Sequence, residues 1–185
     1  MNPILIIVLT AALVAVVVFL VARANRTPPP PTGALAEAAR TLGWVYKRGQ
    51  FEGTLDGVHI TLRETTDERP SVTITAQAQA PFAGEVRLSG PSENAGSGVP
   101  EVKLTVGRGK FDYYFWIARS KPRNFAAELL GPLEEAQDAM LQAPFGQWTI
   151  NGTAVSYTTS QPLTDPAQVQ SVVAALAKIV QQAEQ

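Results

Sequence analysis

The chain has 185 residues, of which 15 are basic, 16 are acidic and none is cysteine. Without cysteine it can form no disulfide, iron–sulfur cluster or thiolate zinc site, and it has no cysteine nucleophile. Only Arg23 and Arg26 precede residue 33, so residues 33–185 carry 13 basic and all 16 acidic side chains, a net charge of −3. Because nucleic-acid-binding proteins concentrate positive charge, we predict no nucleic-acid partner.

The N-terminal stretch Ile4 to Ala22 has no charge and only one polar side chain, Thr10. As a helix rising ~1.5 Å per residue it would measure ~28 Å, close to the hydrocarbon thickness of about 30 Å. We therefore predict a single-pass transmembrane anchor over residues 1–24. The alternative is a cleaved signal peptide, because Ala22-Arg23-Ala24 has the small-x-small form of a cleavage site. An apolar run longer than about 15 residues and the absence of a basic leader argue against it.

Basic residues near the span set its predicted orientation. Arg23, Arg26 and Arg40 follow it, and no Lys or Arg precedes it. The positive-inside rule then places the N-terminus outside and the domain in the cytoplasm. A secreted chain would instead carry the domain into the periplasm or extracellular space.

Residues 25–32, NRTPPPPT, form a predicted linker between the anchor and one domain over residues 33–185. Four consecutive prolines favour polyproline II, a stiff spacer of ~12 Å at ~3.1 Å per residue. The domain is therefore expected to work close to the bilayer.

The first half of the domain alternates a short helix with strands. Thr32 is predicted to cap a helix that ends at Gly43, and Asp56-Gly57 is predicted to turn a hairpin, since both residues tolerate positive φ. The predicted elements are a helix over 34–42 and strands over 44–46, 51–55, 58–64, 71–80 and 85–89.

The second half begins after a flexible loop, 90–98. The most apolar stretch, Phe111 to Ala118, is predicted to be a central strand, and Asp165 is predicted to cap an amphipathic last helix. Between them, Pro132 is predicted to be the first residue of a helix. The remaining predictions are a strand over 102–106, a turn over 107–110, a helix capped by Asn124 and interrupted at Gly131-Pro132, a helix ending near 141, and a hairpin with its turn at Asn151-Gly152.

Clustered strands with interspersed helices predict an α+β fold, with an antiparallel sheet and helices packed on it in two layers. A helix followed by a hairpin occurs twice, at 35–62 and 133–157. This similarity of order leaves open an old duplication, because the motif is also common on its own.

We find no catalytic, metal or cofactor motif in the sequence. His59 is the only histidine and alternates with the apolar residues of its strand, which predicts a solvated side chain. Gly107 to Lys110, GRGK, lacks the spacing of a phosphate-binding loop. The adjacent acidic pairs Asp67-Glu68 and Glu134-Glu135 diverge on a strand or helix, so neither predicts an acid/base dyad.

Tyr114 and Trp116 are the residues predicted to bind a partner. If Phe111 to Ala118 is a strand, both lie on one face, where only Asp112 is polar. A helix could cover that face, or it could be an exposed aromatic patch that anchors another protein.

These features predict a membrane-anchored, non-enzymatic interaction or scaffolding module. It would be a subunit or accessory factor of a membrane-associated assembly, binding a protein partner or a second copy of itself. The alternative is a small-ligand-binding domain or an enzyme with an unfamiliar site.

Overall fold

The structure is a computed structural model, which describes residue 16 and residues 32–65, 70–91 and 104–184. The predicted span, Ile4 to Ala22, lies outside the described residues apart from Val16, and the linker lies outside them up to residue 31. In the part of the chain that the structure describes, no helix is both long and apolar enough to cross a bilayer.

The described residues form one α+β domain. Its helices are α1 (Ala34–Thr41), α2 (Gly109–Tyr114), α3 (Phe125–Leu130), α4 (Glu134–Gln142) and α5 (Pro166–Ala183). Its strands are β1 (Val45–Lys47), β2 (Gln50–Leu55), β3 (Val58–Thr65), β4 (Ser71–Gln77), β5 (Glu85–Gly90), β6 (Trp116–Lys121), β7 (Gly146–Asn151) and β8 (Ala154–Thr159).

The eight strands form one antiparallel sheet in the order β1-β2-β3-β4-β8-β7-β5-β6. Alternate residues along the strands are buried, as expected of a sheet with one covered face. Helix α5 lies over β2, β3, β4 and β8, with α1 and α4 beside it, and α3 packs on β5 and β6. The domain therefore has a helix layer on one side of the sheet and an open face on the other.

Both predicted hairpins are present, with different turns. At the β2–β3 turn, Asp56 and Gly57 have φ of 50° and 84°, as a type I′ turn requires. The β7–β8 loop is Gly152-Thr153 rather than Asn151-Gly152, because Asn151 already pairs with Ala154. Only Gly152 has a positive φ there, 58°, which fits a type II′ turn with glycine first.

Helix α5 begins and packs as the sequence predicts. The Asp165 carboxylate accepts a hydrogen bond from the N–H of Ala167 at 2.8 Å. Pro166 occupies the first turn, where a backbone N–H would have no partner within the helix. The apolar stripe is almost wholly buried: Val169, Val172, Val173, Leu176, Ile179 and Val180. This stripe forms the centre of the core.

The predicted central strand at Phe111 to Ala118 is wrong. Residues up to Tyr114 form α2, and only Trp116 onward is extended, as β6 at the edge of the sheet. Phe111 and Phe115 are four residues apart, so a helical turn brings both rings to the core, where they stack at 4.2 Å. The Asp112 carboxylate accepts the N–H groups of Val106 and Gly107, which fixes the chain as it enters the helix.

Three smaller predictions also differ from the structure. The N-cap of α1 is Gly33, with φ 102°, rather than Thr32. Helix α4 begins at Glu134, two residues after Pro132. Residues 104–106, the described part of the predicted 102–106 strand, are not in a strand.

Tyr157, in β8, makes stability sensitive to alkaline pH. Its ring packs against Trp148 at 4.7 Å and its hydroxyl donates to the Pro144 carbonyl at 2.9 Å. Burial raises the pKa of Tyr157 from 10.0 to about 12. Folding therefore favours the neutral phenol, and this stabilisation is complete below pH 10 and is lost as the pH rises through about 12.

We expect the melting temperature of the wild-type chain to fall more steeply than that of Tyr157→Phe between about pH 9 and pH 12, because phenylalanine cannot ionise. Thermal melts of the two proteins across this range measure the difference. Parallel pH dependence would show that Tyr157 contributes nothing to it.

Candidate interaction surface

The open face of the sheet is lined mainly by short polar side chains. One continuous row crosses all eight strands by register: Val45, Glu52, Thr61, Thr75, Ser156, Thr149, Arg87 and Arg119. In the neighbouring row the hydroxyls of Thr73 and Thr158 lie 3.3 Å apart. In the part of the chain that the structure describes, every helix that contacts the sheet lies on the opposite face.

The open face is basic although the domain as a whole is acidic. Among the described strand residues that point to it, five are basic and two are acidic. The basic residues are Lys47, Arg63, Arg87, Arg119 and Lys121, and the acidic residues are Glu52 and Glu85. Three of the five basic side chains lie together on β5 and β6, so positive charge is densest at that edge.

Two arginines lie directly opposite each other at this edge. Arg87 pairs with Arg119 across the β5–β6 ladder, next to a register shift between Arg87 and Leu88. Like charges opposite each other destabilise a sheet, and here the repulsion between the two arginines is only partly offset. The Glu85 carboxylate forms a salt bridge with Arg119 at 3.0 Å. The Arg87 guanidinium donates a hydrogen bond to the Gln147 side chain at 3.2 Å. Both arginines are exposed, so they remain accessible to an anionic group of a partner.

Trp116 lies beside the arginine pair. It is opposite Ser89, on the face away from the core residues Leu88 and Ile117. Its side chain is half-buried and is not among the partly buried apolar residues packed on the core. We call Trp116, Arg87, Arg119 and Lys121 the β5–β6 patch.

The structure separates the two residues predicted to bind a partner. Tyr114 lies in α2, where its ring contacts Tyr113 and packs against the core on the helix side of the sheet. Trp116 lies on the open face. The geometry behind the prediction, with both rings on one face of a strand, is therefore incorrect. That either residue binds a partner stays a prediction.

Comparison with known proteins identifies the fold. No family model and no curated protein matches the chain. The crystal structure of the mycobacterial trehalose monomycolate transport factor A, TtfA, is similar, with a TM-score of 0.50 and 12% sequence identity over 80% of this chain and 92% of that chain. At this identity the likeness shows a shared α+β architecture.

The other sequence candidates lie apart from the patch. His59 is exposed on the open face, opposite Thr54 and Gln77, as predicted for a solvated strand residue. The GRGK segment, predicted to be a turn, leads into α2. The Asp112 carboxylate accepts a hydrogen bond from the backbone N–H of Gly107, the first residue of the segment. Among the described residues, no group of three or more His, Cys, Asp or Glu side chains could hold a metal ion.

A polar cleft separates α4 from the last turns of α5. Lys178 donates a hydrogen bond to the Glu135 carboxylate across it. That hydrogen bond and the charge of Lys178 hold the pKa of Glu135 below its ordinary value. Because this exposed ion pair joins two packed helices, we assign it a structural role.

Sequence reasoning did not identify Arg87, Arg119 or Lys121. The arginines lie on strands separated in sequence by a loop and α2, so only the β5–β6 register brings them together. The alternation of Arg87 with Val86 and Leu88 was the available signal, and it indicated only that Arg87 would be solvated.

Proposed function

We propose that this protein is a membrane-anchored, non-enzymatic interaction module, a subunit or accessory factor of a membrane-associated assembly. Its partner binds the open face of the sheet at the β5–β6 patch. The observation that carries this proposal is the half-buried Trp116 beside two opposed arginines, on a face that no described helix covers.

The chemistry of the patch favours recognition over catalysis. Tryptophan and arginine are the side chains most often responsible for binding energy at protein interfaces. The patch offers cations and hydrogen-bond donors, with Glu85 already engaged by Arg119. A partner with acidic side chains would relieve the repulsion between the arginines and cover the indole.

The anchor and the side of the membrane complete the proposal. The apolar segment Ile4 to Ala22 supports a single-pass anchor, and Arg23, Arg26 and Arg40 support a cytoplasmic domain. TtfA, whose structure is similar, is a mycobacterial trehalose monomycolate transport factor. That description is compatible with an accessory role for this chain and supplies no substrate for it.

Copurification tests the proposal. The full-length chain, extracted from its native membrane in a mild detergent, is expected to migrate on native gels as a complex with a defined partner. Extraction as a monomer without a copurifying protein would contradict it.

A further inference from the structure

An aromatic cleft opens at the point where the linker joins the domain. It has a volume of about 470 Å³ and lies between the first turns of α1 and the strands β1 and β2. Thr32 and Gly33 form one wall, and the rings of Trp44, Tyr46 and Phe51 form much of the rest. Tyr46 and Phe51 pack with their ring centres 5.0 Å apart.

Trp44 has an unmet hydrogen-bonding group in this region. Its side chain is only 8% exposed and packs so closely over Gly53 that a Cβ there would lie 2.0 Å from the indole. Among the described residues the indole N–H has no acceptor. The N–H itself lies against Gly53 and has almost no exposed surface, so Trp44 offers the cleft its aromatic ring rather than a hydrogen bond.

The chain itself supplies a matching segment. Pro28 to Pro31 directly precede Thr32, which lines the cleft. Proline segments present apolar rings and carbonyl acceptors but no N–H donors, and aromatic-lined grooves are the sites that bind them. Gly33, with φ 102°, lets the chain change direction sharply between the prolines and α1.

We propose that Pro28 to Pro31 dock in this cleft of the same chain, with their rings on Trp44, Tyr46 and Phe51. The four prolines span ~12 Å at ~3.1 Å per residue, so they need not leave the neighbourhood of Thr32 to fill it. The linker is then an arm fixed to the domain, and it sets the orientation of the domain relative to the N-terminal segment.

Cross-linking distinguishes a docked arm from a free stiff spacer. The chain has no native cysteine, so a pair of introduced cysteines can be joined selectively by a short bismaleimide. We call Thr27→Cys with Glu37→Cys the cleft pair, and the reaction is carried out on the full-length protein in mild detergent. Glu37 is exposed at the cleft and tolerates the change. Thr27→Cys with Thr54→Cys is the control pair, because Thr54 is exposed on the open face.

Docking predicts that replacing Pro28 to Pro31 with serines slows intramolecular cross-linking of the cleft pair by about tenfold through loss of effective concentration, and leaves the control pair unchanged. An undocked polyproline spacer predicts the reverse, since flexible serines would let position 27 approach position 37 more often. Equal rates, or cross-linked dimers in place of monomers, would also overturn the proposal.

Indole resonances give a second measurement that needs no cysteine. The serine replacement is expected to shift the Trp44 indole N–H signal, assigned with Trp44→Phe. The Trp148 signal should stay in place, because that N–H is equally buried and unpartnered among the described residues but lies in β7. An unmoved Trp44 signal would overturn the proposal.

Discussion

Truncating the full-length chain after Thr164, which removes α5, should abolish cooperative unfolding. The six large aliphatic side chains of the α5 stripe are at most 1% exposed. At about 1.5–3 kcal/mol each, their burial is comparable to the 5–15 kcal/mol by which typical domains are stable. Removing α5 also exposes the sides of β3, β4 and β8 that it covers. It takes away the helix against which α1 and α4 both pack.

Thermal melts followed by circular dichroism measure this effect, and two point variants control for truncation itself. Leu176→Asp places a charge at a fully buried position and should behave like the truncation. Ala167→Asp introduces the same carboxylate at an exposed site in the first turn, where it is tolerated. A cooperative melt after the truncation would show that α5 is not required to close the core.

Replacing Trp116 with alanine, or Arg87 with glutamate, should weaken capture of the partner by about 30-fold or more. A central interface residue contributes about 2 kcal/mol or more, and each 1.4 kcal/mol is a factor of ten in affinity. Neither side chain packs on the core, so we expect the melting temperature to change little. Binding assays with the copurified partner and thermal melts measure the two effects.

Two variants make this prediction specific to the β5–β6 patch. Lys110→Glu makes a similar charge change at an exposed position of α2, a helix that contacts α4, and should leave capture intact. Tyr114→Ala should instead lower the melting temperature, because Tyr114 packs on the core. Full capture by Trp116→Ala and Arg87→Glu would remove the patch from the interface.

Local signals made part of this fold predictable. The Asp56-Gly57 turn specifies its own positive φ values, and the stripe from Val169 to Val180 has a helical period over many residues. Such elements are encoded within one stretch of chain. The hairpins and α5 were therefore correctly identified, and with them the α+β class.

The stretch Phe111 to Ala118 was not predictable in the same way. Apolar residues occupy nearly every position, so alternation and helical period fit it equally well. Burial of the Phe111 and Phe115 rings in the core favours the helix, and that burial depends on tertiary context. The β5–β6 patch was less predictable still, because Arg87 and Arg119 meet only through strand order and register.

Photo-cross-linking from the two sides of the domain tests most directly whether the open face binds a partner. A benzophenone amino acid replaces Asn151, which is exposed on the open face in β7 next to β5, or Gln142, which is exposed at the end of α4 in the helix layer. In the full-length chain in its native membrane, the probe at position 151 is expected to give a discrete adduct that disappears with Trp116→Ala. The probe at position 142 should give none. Adducts from position 142 alone would place the partner on the helix layer and contradict the proposed interface.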